Sequence, residues 1–91
     1  NKLVSITSRL ELLAQLGEAY CHQDKFKEAE EIFNNILMLK PDNPTVLNNL
    51  GFAYSRQGNN EKASFCFQKA LEFDPDNEDA IANLEQIKAM C

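Results

Sequence analysis

Apolar residues along the chain recur at the spacing of helix faces. Leu13, Leu16 and Tyr20 fall at positions i, i+3 and i+7, which places them on one side of an α-helix. The same kind of stripe returns in the segments that follow, and only three Gly and three Pro interrupt the chain. The pattern therefore predicts an all-α fold with five helices, near residues 9–22, 25–39, 44–56, 60–73 and 78–90.

The pattern also repeats along the chain at a fixed offset. Residues 10–43 align with residues 44–77, and 12 of the 34 aligned positions are identical, where roughly two are expected from average residue usage. Each unit contains two amphipathic segments and ends in Pro-Asp-Asn, where the proline cannot continue a helix. The chain is therefore predicted to contain two consecutive helical hairpins that stack on each other.

Small residues recur where the two helices of each hairpin should cross. Their small side chains let the helices approach closely, and Phe33 and Phe67 are expected to fill the space beyond them. The small residues are Gly17 and Ala29 in the first unit, and Gly51 and Ala63 in the second.

Both units carry Leu-x2-Leu-Gly-x2-Tyr, then Ala-x3-Phe, then Pro-Asp-Asn. This pattern resembles the tetratricopeptide repeat. The resemblance covers about residues 10–77 and implies a short right-handed solenoid of α-hairpins. It divides a single domain, residues 1–91, into residues 1–9 as a tail or preceding element, 10–43 and 44–77 as two repeats, and 78–90 as a capping helix.

The two ends of the chain depart from the repeat. Glu85 stands at the Gly position and Lys88 at the Tyr position, which suits a capping helix with a polar outer face. Near the other end, Ser8 and Glu11 form a candidate capping box that would open the first helix. Residues 1–7 would then be a tail, or the end of a preceding helix.

The resemblance implies that the first helices of successive units line a concave groove that binds extended or helical peptides. Three amides, Gln15, Asn49 and Asn83, are spaced 34 residues apart on that face and can both donate to and accept from a peptide backbone. Alternatively, they are solvated amides or caps of neighbouring turns. The candidate peptide-binding residues are Gln15, Glu18, Asn48, Asn49, Phe52, Arg56 and Asn83.

Phe52 lies on the same predicted face, beside Arg56. Its ring can anchor an apolar or aromatic side chain of a ligand. Alternatively, the ring packs against Ala82 and Gln86 of the closing helix. The sequence leaves both interpretations open.

A known ligand of the resembled family is the C-terminal carboxylate of cytosolic chaperones, clamped by Lys, Asn, Asn, Lys and Arg. Only one of these five residue types is matched here, no cation is present at any of the five positions, and two of the positions carry acids. The prediction is that acidic chaperone tails do not bind and that a neutral to basic segment is preferred. The corresponding positions are Ala14, Glu18, Asn49, Asp79 and Asn83.

Composition narrows the remaining classes of function. The net charge of −5 argues against nucleic acid, because a nucleic-acid binder needs a basic face, and it disfavours anionic membranes. Cys21, Cys66 and Cys91 lack a Cys-x-x-Cys spacing, which argues against disulfides and zinc. His22 follows Cys21 directly, so the two side chains do not face each other. We therefore expect reduced thiols, a cytoplasmic location, and neither a cofactor nor a metal.

The sequence thus predicts a protein–protein interaction module, part of a larger protein or complex, that binds a peptide segment in its groove. One alternative is a self-association or assembly module, since a solenoid exposes its ends; otherwise a monomer is expected. A further alternative is an accessory domain of an enzyme. Catalysis by the domain itself is not expected, because no nucleophile is paired with an oriented base.

Overall fold

The computed structural model describes the backbone of residues 2–90 and the side chains of residues 8–90. α1 and α2 form one hairpin, α3 and α4 form the second, and α5 packs on α4. This arrangement confirms the all-α fold class. The five helices are α1 (Lys2–His22), α2 (Phe26–Leu39), α3 (Pro44–Arg56), α4 (Asn60–Phe73) and α5 (Glu78–Met90).

Turn residues end the first helix of each hairpin. Asp24 and Gly58 occupy equivalent positions and adopt the left-handed conformation, with φ values of 61° and 82°. Asp and Gly are among the residues that tolerate this region. Each turn therefore reverses the chain within a few residues and brings α2 back along α1, and α4 back along α3.

Asparagine caps open the later helices. The Asn43 side chain accepts a hydrogen bond from the Val46 N–H at 3.1 Å, and Pro44 occupies the first turn of α3. Asn59 and Asn77 cap α4 and α5 in the same way. A side-chain acceptor satisfies a backbone donor that has no partner within the helix.

Replacement of the α3 cap gives a direct test of this role. Asn43→Ala is expected to lower the free energy of unfolding by about 1 kcal/mol, whereas Asn43→Gly should cost only a few tenths. Urea denaturation followed by circular dichroism measures both. Equal losses in the two variants would show that Asn43 stabilises the chain by something other than capping.

α1 is longer than predicted. It begins at Lys2 rather than near residue 9, and Ser8 lies inside the helix. The predicted capping box of Ser8 and Glu11 is therefore wrong. The physical reason is that residues 2–8 include neither Gly nor Pro, and serine is only mildly unfavourable within a helix.

Phe33 and Phe67 lie at the centre of the two hairpins, and neither is more than 1% exposed. A Cβ atom built on Gly17 would lie 2.5 Å from Phe33 Cε1, and one built on Gly51 would lie 2.5 Å from Phe67 Cε1. These distances are far below van der Waals contact. The prediction that the glycines make room for the phenylalanines is confirmed.

The apolar stripe predicted for α1 is only partly buried. Leu13 and Leu16 remain 37% and 45% exposed, whereas Leu47 and Leu50, their equivalents in α3, are 7% and 4% exposed. Leu50 packs with Ile36 of α2. In α3 this face is covered by α2, the last helix of the preceding repeat. Among residues 8–90, no helix covers the same face of α1.

Candidate functional site

The first helices, α1, α3 and α5, lie next to one another and form one surface, here called the groove face. Two side-chain hydrogen bonds join these helices. Asn49 Nδ2 donates to Glu18 Oε1 at 3.1 Å, and Asn83 Nδ2 donates to Asn48 Oδ1 at 3.1 Å. The structure therefore brings four of the predicted site residues together in two pairs.

The three predicted amides, Gln15, Asn49 and Asn83, differ in exposure and in hydrogen bonding. Gln15 is exposed and lies beside a shallow depression that Lys40 and Thr45 also line. Asn49 and Asn83 are half-buried, and each donates one N–H bond to a neighbouring helix. Each amide keeps a second N–H and a carbonyl oxygen, and the role of these groups in ligand binding stays a prediction.

Asn48 differs from its predicted place on the open face. It is only 9% exposed, and its Oδ1 accepts the hydrogen bond from Asn83. A buried polar side chain needs such a partner to offset its loss of hydration. Asn48 therefore links α3 to α5 through this bond, and its role in ligand binding stays a prediction.

A pocket of about 330 Å³ opens between α3 and α5. Its wall contains one guanidinium, three primary amides and a hydroxyl, together with apolar side chains, and it contains no carboxylate. Three of the predicted residues, Phe52, Arg56 and Asn83, meet here. The full lining is Phe52, Ser55, Arg56, Asn60, Phe67, Asn83, Gln86, Ile87 and Met90.

The Arg56 side chain lies against an aromatic ring. Its Cζ lies 5.5 Å from the centre of the Phe26 ring, within the range of a cation–π interaction. The Phe26 ring meets Phe52 in a T-shaped contact, with centroids 6.0 Å apart and planes inclined at 70°. Phe26, at the start of α2, thus contacts two residues that line the pocket, Arg56 and Phe52.

Neither interpretation of Phe52 anticipated this contact. The ring is 39% exposed and packs on Phe26, while it shares the pocket wall with Gln86. Phe26 was visible in the sequence only as the aromatic residue three positions before Ala29. The contact between its ring and Phe52 depends on the angle at which α2 crosses α3, and no local sequence pattern specifies that angle.

The pocket has a local charge opposite to that of the whole chain. Arg56 is the one charged residue in its lining, and the salt bridges found among residues 8–90 do not involve it. Glu18 and Asp79, the two acids of the groove face considered in the sequence, lie outside the lining. A ligand in the pocket therefore meets a cation and hydrogen-bond donors.

Burial disfavours the thiolate forms of Cys21 and Cys66. Burial raises the pKa of the Cys66 thiol to about 11, partly opposed by nearby Lys62. Burial, with Glu18 as a smaller cause, also raises the pKa of Cys21. Both thiols are free, and Cys91 lies outside the described residues.

Two further properties concern residues 2–90 as a whole. Across this part of the chain, no cluster of His, Cys, Asp and Glu side chains has the arrangement of a metal site. None of its helices combines the length and the apolar character needed to cross a membrane.

One solved structure with this fold corrects a prediction. The first tetratricopeptide domain of Spaghetti (RPAP3), bound to the HSP90 peptide SRMEEVD, matches with a TM-score of 0.55 and 20% identity, over 91% of this chain and 93% of that one. The fold accommodates an acidic peptide, so excluding acidic chaperone tails and preferring neutral to basic segments was wrong. The physical reason is that Glu18 and Asp79, on which the exclusion rested, are exposed, and repulsion between exposed charges is weak.

The other comparisons concern the family. No curated protein sequence matches the chain significantly. The tetratricopeptide domain of Sgt2 from Aspergillus fumigatus matches with a TM-score of 0.85 and 27% identity over 89% of this chain, which spans 54% of that domain. A family model described as tetratricopeptide repeat matches residues 16–89. The chain belongs to the tetratricopeptide repeat family.

Proposed function

We propose that the groove face binds a peptide segment of a partner protein, and that the pocket between α3 and α5 receives a carboxylate of that peptide. Membership of the family supports a protein-interaction module. The observation that carries the finer proposal is the composition of the pocket, which combines Arg56 and three amides with apolar walls and has no acid in its lining.

Arg56 is the group that would bind the carboxylate. Its guanidinium rests near the Phe26 ring, and a planar guanidinium can donate two parallel hydrogen bonds to a carboxylate. Because this contact restricts the side chain, less conformational entropy would be lost when the ligand binds. Asn60, Asn83 and Gln86 supply further donors around it.

The apolar part of the pocket suits the residue next to that carboxylate. Phe52 and Met90 are 39% and 67% exposed, and both line the pocket together with Ile87. Burying an aliphatic side chain against them removes apolar surface from water. A short sequence that ends in an aliphatic residue and an acid, as SRMEEVD does, matches this combination.

The remainder of a peptide would continue along the groove face toward α1. Asn49 and Asn83 each keep unused donor and acceptor atoms after their interhelical bonds, and such atoms can pair with the backbone of an extended peptide whatever its sequence. These bonds would add affinity, while the pocket would set the direction in which the bound peptide runs along the groove face.

Isothermal calorimetry with the peptide SRMEEVD tests the proposal on the 91-residue chain. We expect saturable binding with a dissociation constant on the order of 10–100 μM. A peptide amidated at its C-terminus should bind at least about tenfold more weakly, since a charge-assisted hydrogen bond is lost. Absence of binding would contradict the proposal, and equal affinity of the two peptides would exclude the C-terminal carboxylate as the group that the pocket receives.

A further inference from the structure

A shallow apolar slot of about 320 Å³ lies between the second helices α2 and α4; it is called the α2–α4 slot. Leu37 of α2 and Phe65 of α4 line its two sides, and Leu47 and Leu50 of α3 line its floor. On α3 these leucines lie about half a turn away from Phe52. The slot is therefore separate from the groove face.

The α4 side of the slot departs from the repeat. In the second unit, a cation and an aromatic ring replace two acids of the first unit, and a thiol replaces a larger branched side chain. At the offset of 34 residues, Lys62, Phe65 and Cys66 correspond to Glu28, Glu31 and Ile32 of α2. The Phe65 side chain is 63% exposed, so packing within the chain accounts for little of its surface.

Three polar side chains also line the slot: Asn34, Tyr54 and Lys62, with no carboxylate among the lining residues. The Lys62 Nζ atom lies 5.5 Å from the centre of the Tyr54 ring, and the salt bridges found among residues 8–90 do not involve it. Glu61 precedes Lys62 but lines a different depression. A cation and two hydrogen-bond donors beside an apolar floor suit a ligand that carries one carboxylate.

We propose that the α2–α4 slot binds a small amphipathic monocarboxylate, whose hydrocarbon part lies on Leu37, Leu47 and Phe65 and whose carboxylate lies beside Lys62. The slot volume is at the small end of the range for small-molecule sites. It offers room for about ten non-hydrogen atoms, at a liquid-like volume of roughly 30 Å³ each.

Other occupants fit this slot less well. The chain contains both repeats that bound the slot, so a further repeat stacked on α1 or on α5 would not cover it. A second copy of the chain is disfavoured because each copy has a net charge of −5, and chains of like charge repel each other.

Octanoate is the probe, because its size matches the slot and it carries one carboxylate. In an NMR titration of the isotopically labelled 91-residue chain, we expect saturable shifts centred on Leu37, Tyr54 and Phe65, with a dissociation constant on the order of 1 mM. 1-Octanol, which keeps the tail but lacks the charge, should bind about threefold more weakly. Acetate, which keeps the charge but lacks the tail, should give no saturable shift.

Two substitutions introduce residues that the first repeat carries at the same positions. Lys62→Glu and Phe65→Glu copy Glu28 and Glu31, which an equivalent hairpin tolerates, so both variants should remain folded. Each should weaken octanoate binding about fivefold or more, through lost charge pairing or lost apolar contact. Lys69→Glu, at a lysine of α4 outside the lining, makes the same change of charge and should alter the affinity less than about twofold. Binding of SRMEEVD should also change less than about twofold in all three variants, so failure of the slot is distinguishable from failure of the groove.

Several results would overturn the inference. One is no saturable shift up to about 10 mM octanoate, and another is shifts centred on α1 or on the pocket between α3 and α5. Equal affinity for octanoate and 1-octanol, or equal weakening by Lys62→Glu and Lys69→Glu, would show that Lys62 does not bind the carboxylate. Binding of N-acetylleucylphenylalanine at least about tenfold tighter than octanoate would identify the C-terminus of a partner protein as the occupant instead.

Discussion

Gly51→Ala is expected to lower the free energy of unfolding by about 2 kcal/mol, although alanine ordinarily favours a helix by roughly 1 kcal/mol over glycine. The added Cβ would lie 2.5 Å from Phe67 Cε1 and 2.8 Å from Cδ1. Phe67 is only 1% exposed, so its ring cannot move aside without displacing the core. Thermal and urea unfolding measure the loss.

Two companion variants identify the cause. Gly51→Ala combined with Phe67→Leu should cost less than the sum of the two single losses, because leucine lacks the ring atoms that meet the new Cβ. Gly58→Ala serves as the matched control: a Cβ there meets no atom within 4 Å, but the residue has a φ of 82°, so backbone strain of about 1 kcal/mol is expected. A stabilising effect of Gly51→Ala would contradict the close helix crossing.

Arg56→Gln is expected to weaken SRMEEVD binding by about tenfold or more, as the loss of a charge-assisted hydrogen bond implies. The side chain is exposed, and its contact with the Phe26 ring is a surface contact. The melting temperature should therefore change little. Calorimetry gives the affinity, and circular dichroism confirms that the fold is retained.

Arg9→Gln is the matched control for net charge. Arg9 is the other arginine of the chain, and it lies on α1 beside Leu12, Leu13 and Leu16, outside the pocket between α3 and α5. Both variants remove one positive charge, so a general electrostatic effect would weaken the peptide equally in both. Equal losses would show that Arg56 does not contact the peptide carboxylate.

The repeat and its helical periodicity predicted the fold because they reflect local and neighbouring contacts. Gly17 and Phe33 were paired correctly from their recurrence alone, since each hairpin repeats one crossing. The exposure of Leu13 and Leu16 was not predicted, because periodicity shows which face is apolar but not whether another helix covers it.

The site was less predictable because it depends on side chains from three helices. The bonds from Asn49 to Glu18 and from Asn83 to Asn48 require the spacing between adjacent first helices, and the contact of Phe26 with Phe52 requires the angle at which α2 crosses α3. The error about acidic peptides had a similar origin. Charges were compared position by position, whereas the geometry of the pocket decides that Arg56 lines it and Glu18 does not.

The most direct test of the central claim is an NMR titration of the isotopically labelled 91-residue chain with SRMEEVD, which maps where the peptide binds. The predicted result is saturable shifts that centre on Phe52, Arg56 and Asn83, with the Arg56 side-chain N–H signals moving most. Shifts confined to α2 and α4, or no saturable shift up to about 1 mM peptide, would contradict the proposal that the pocket between α3 and α5 binds a peptide carboxylate.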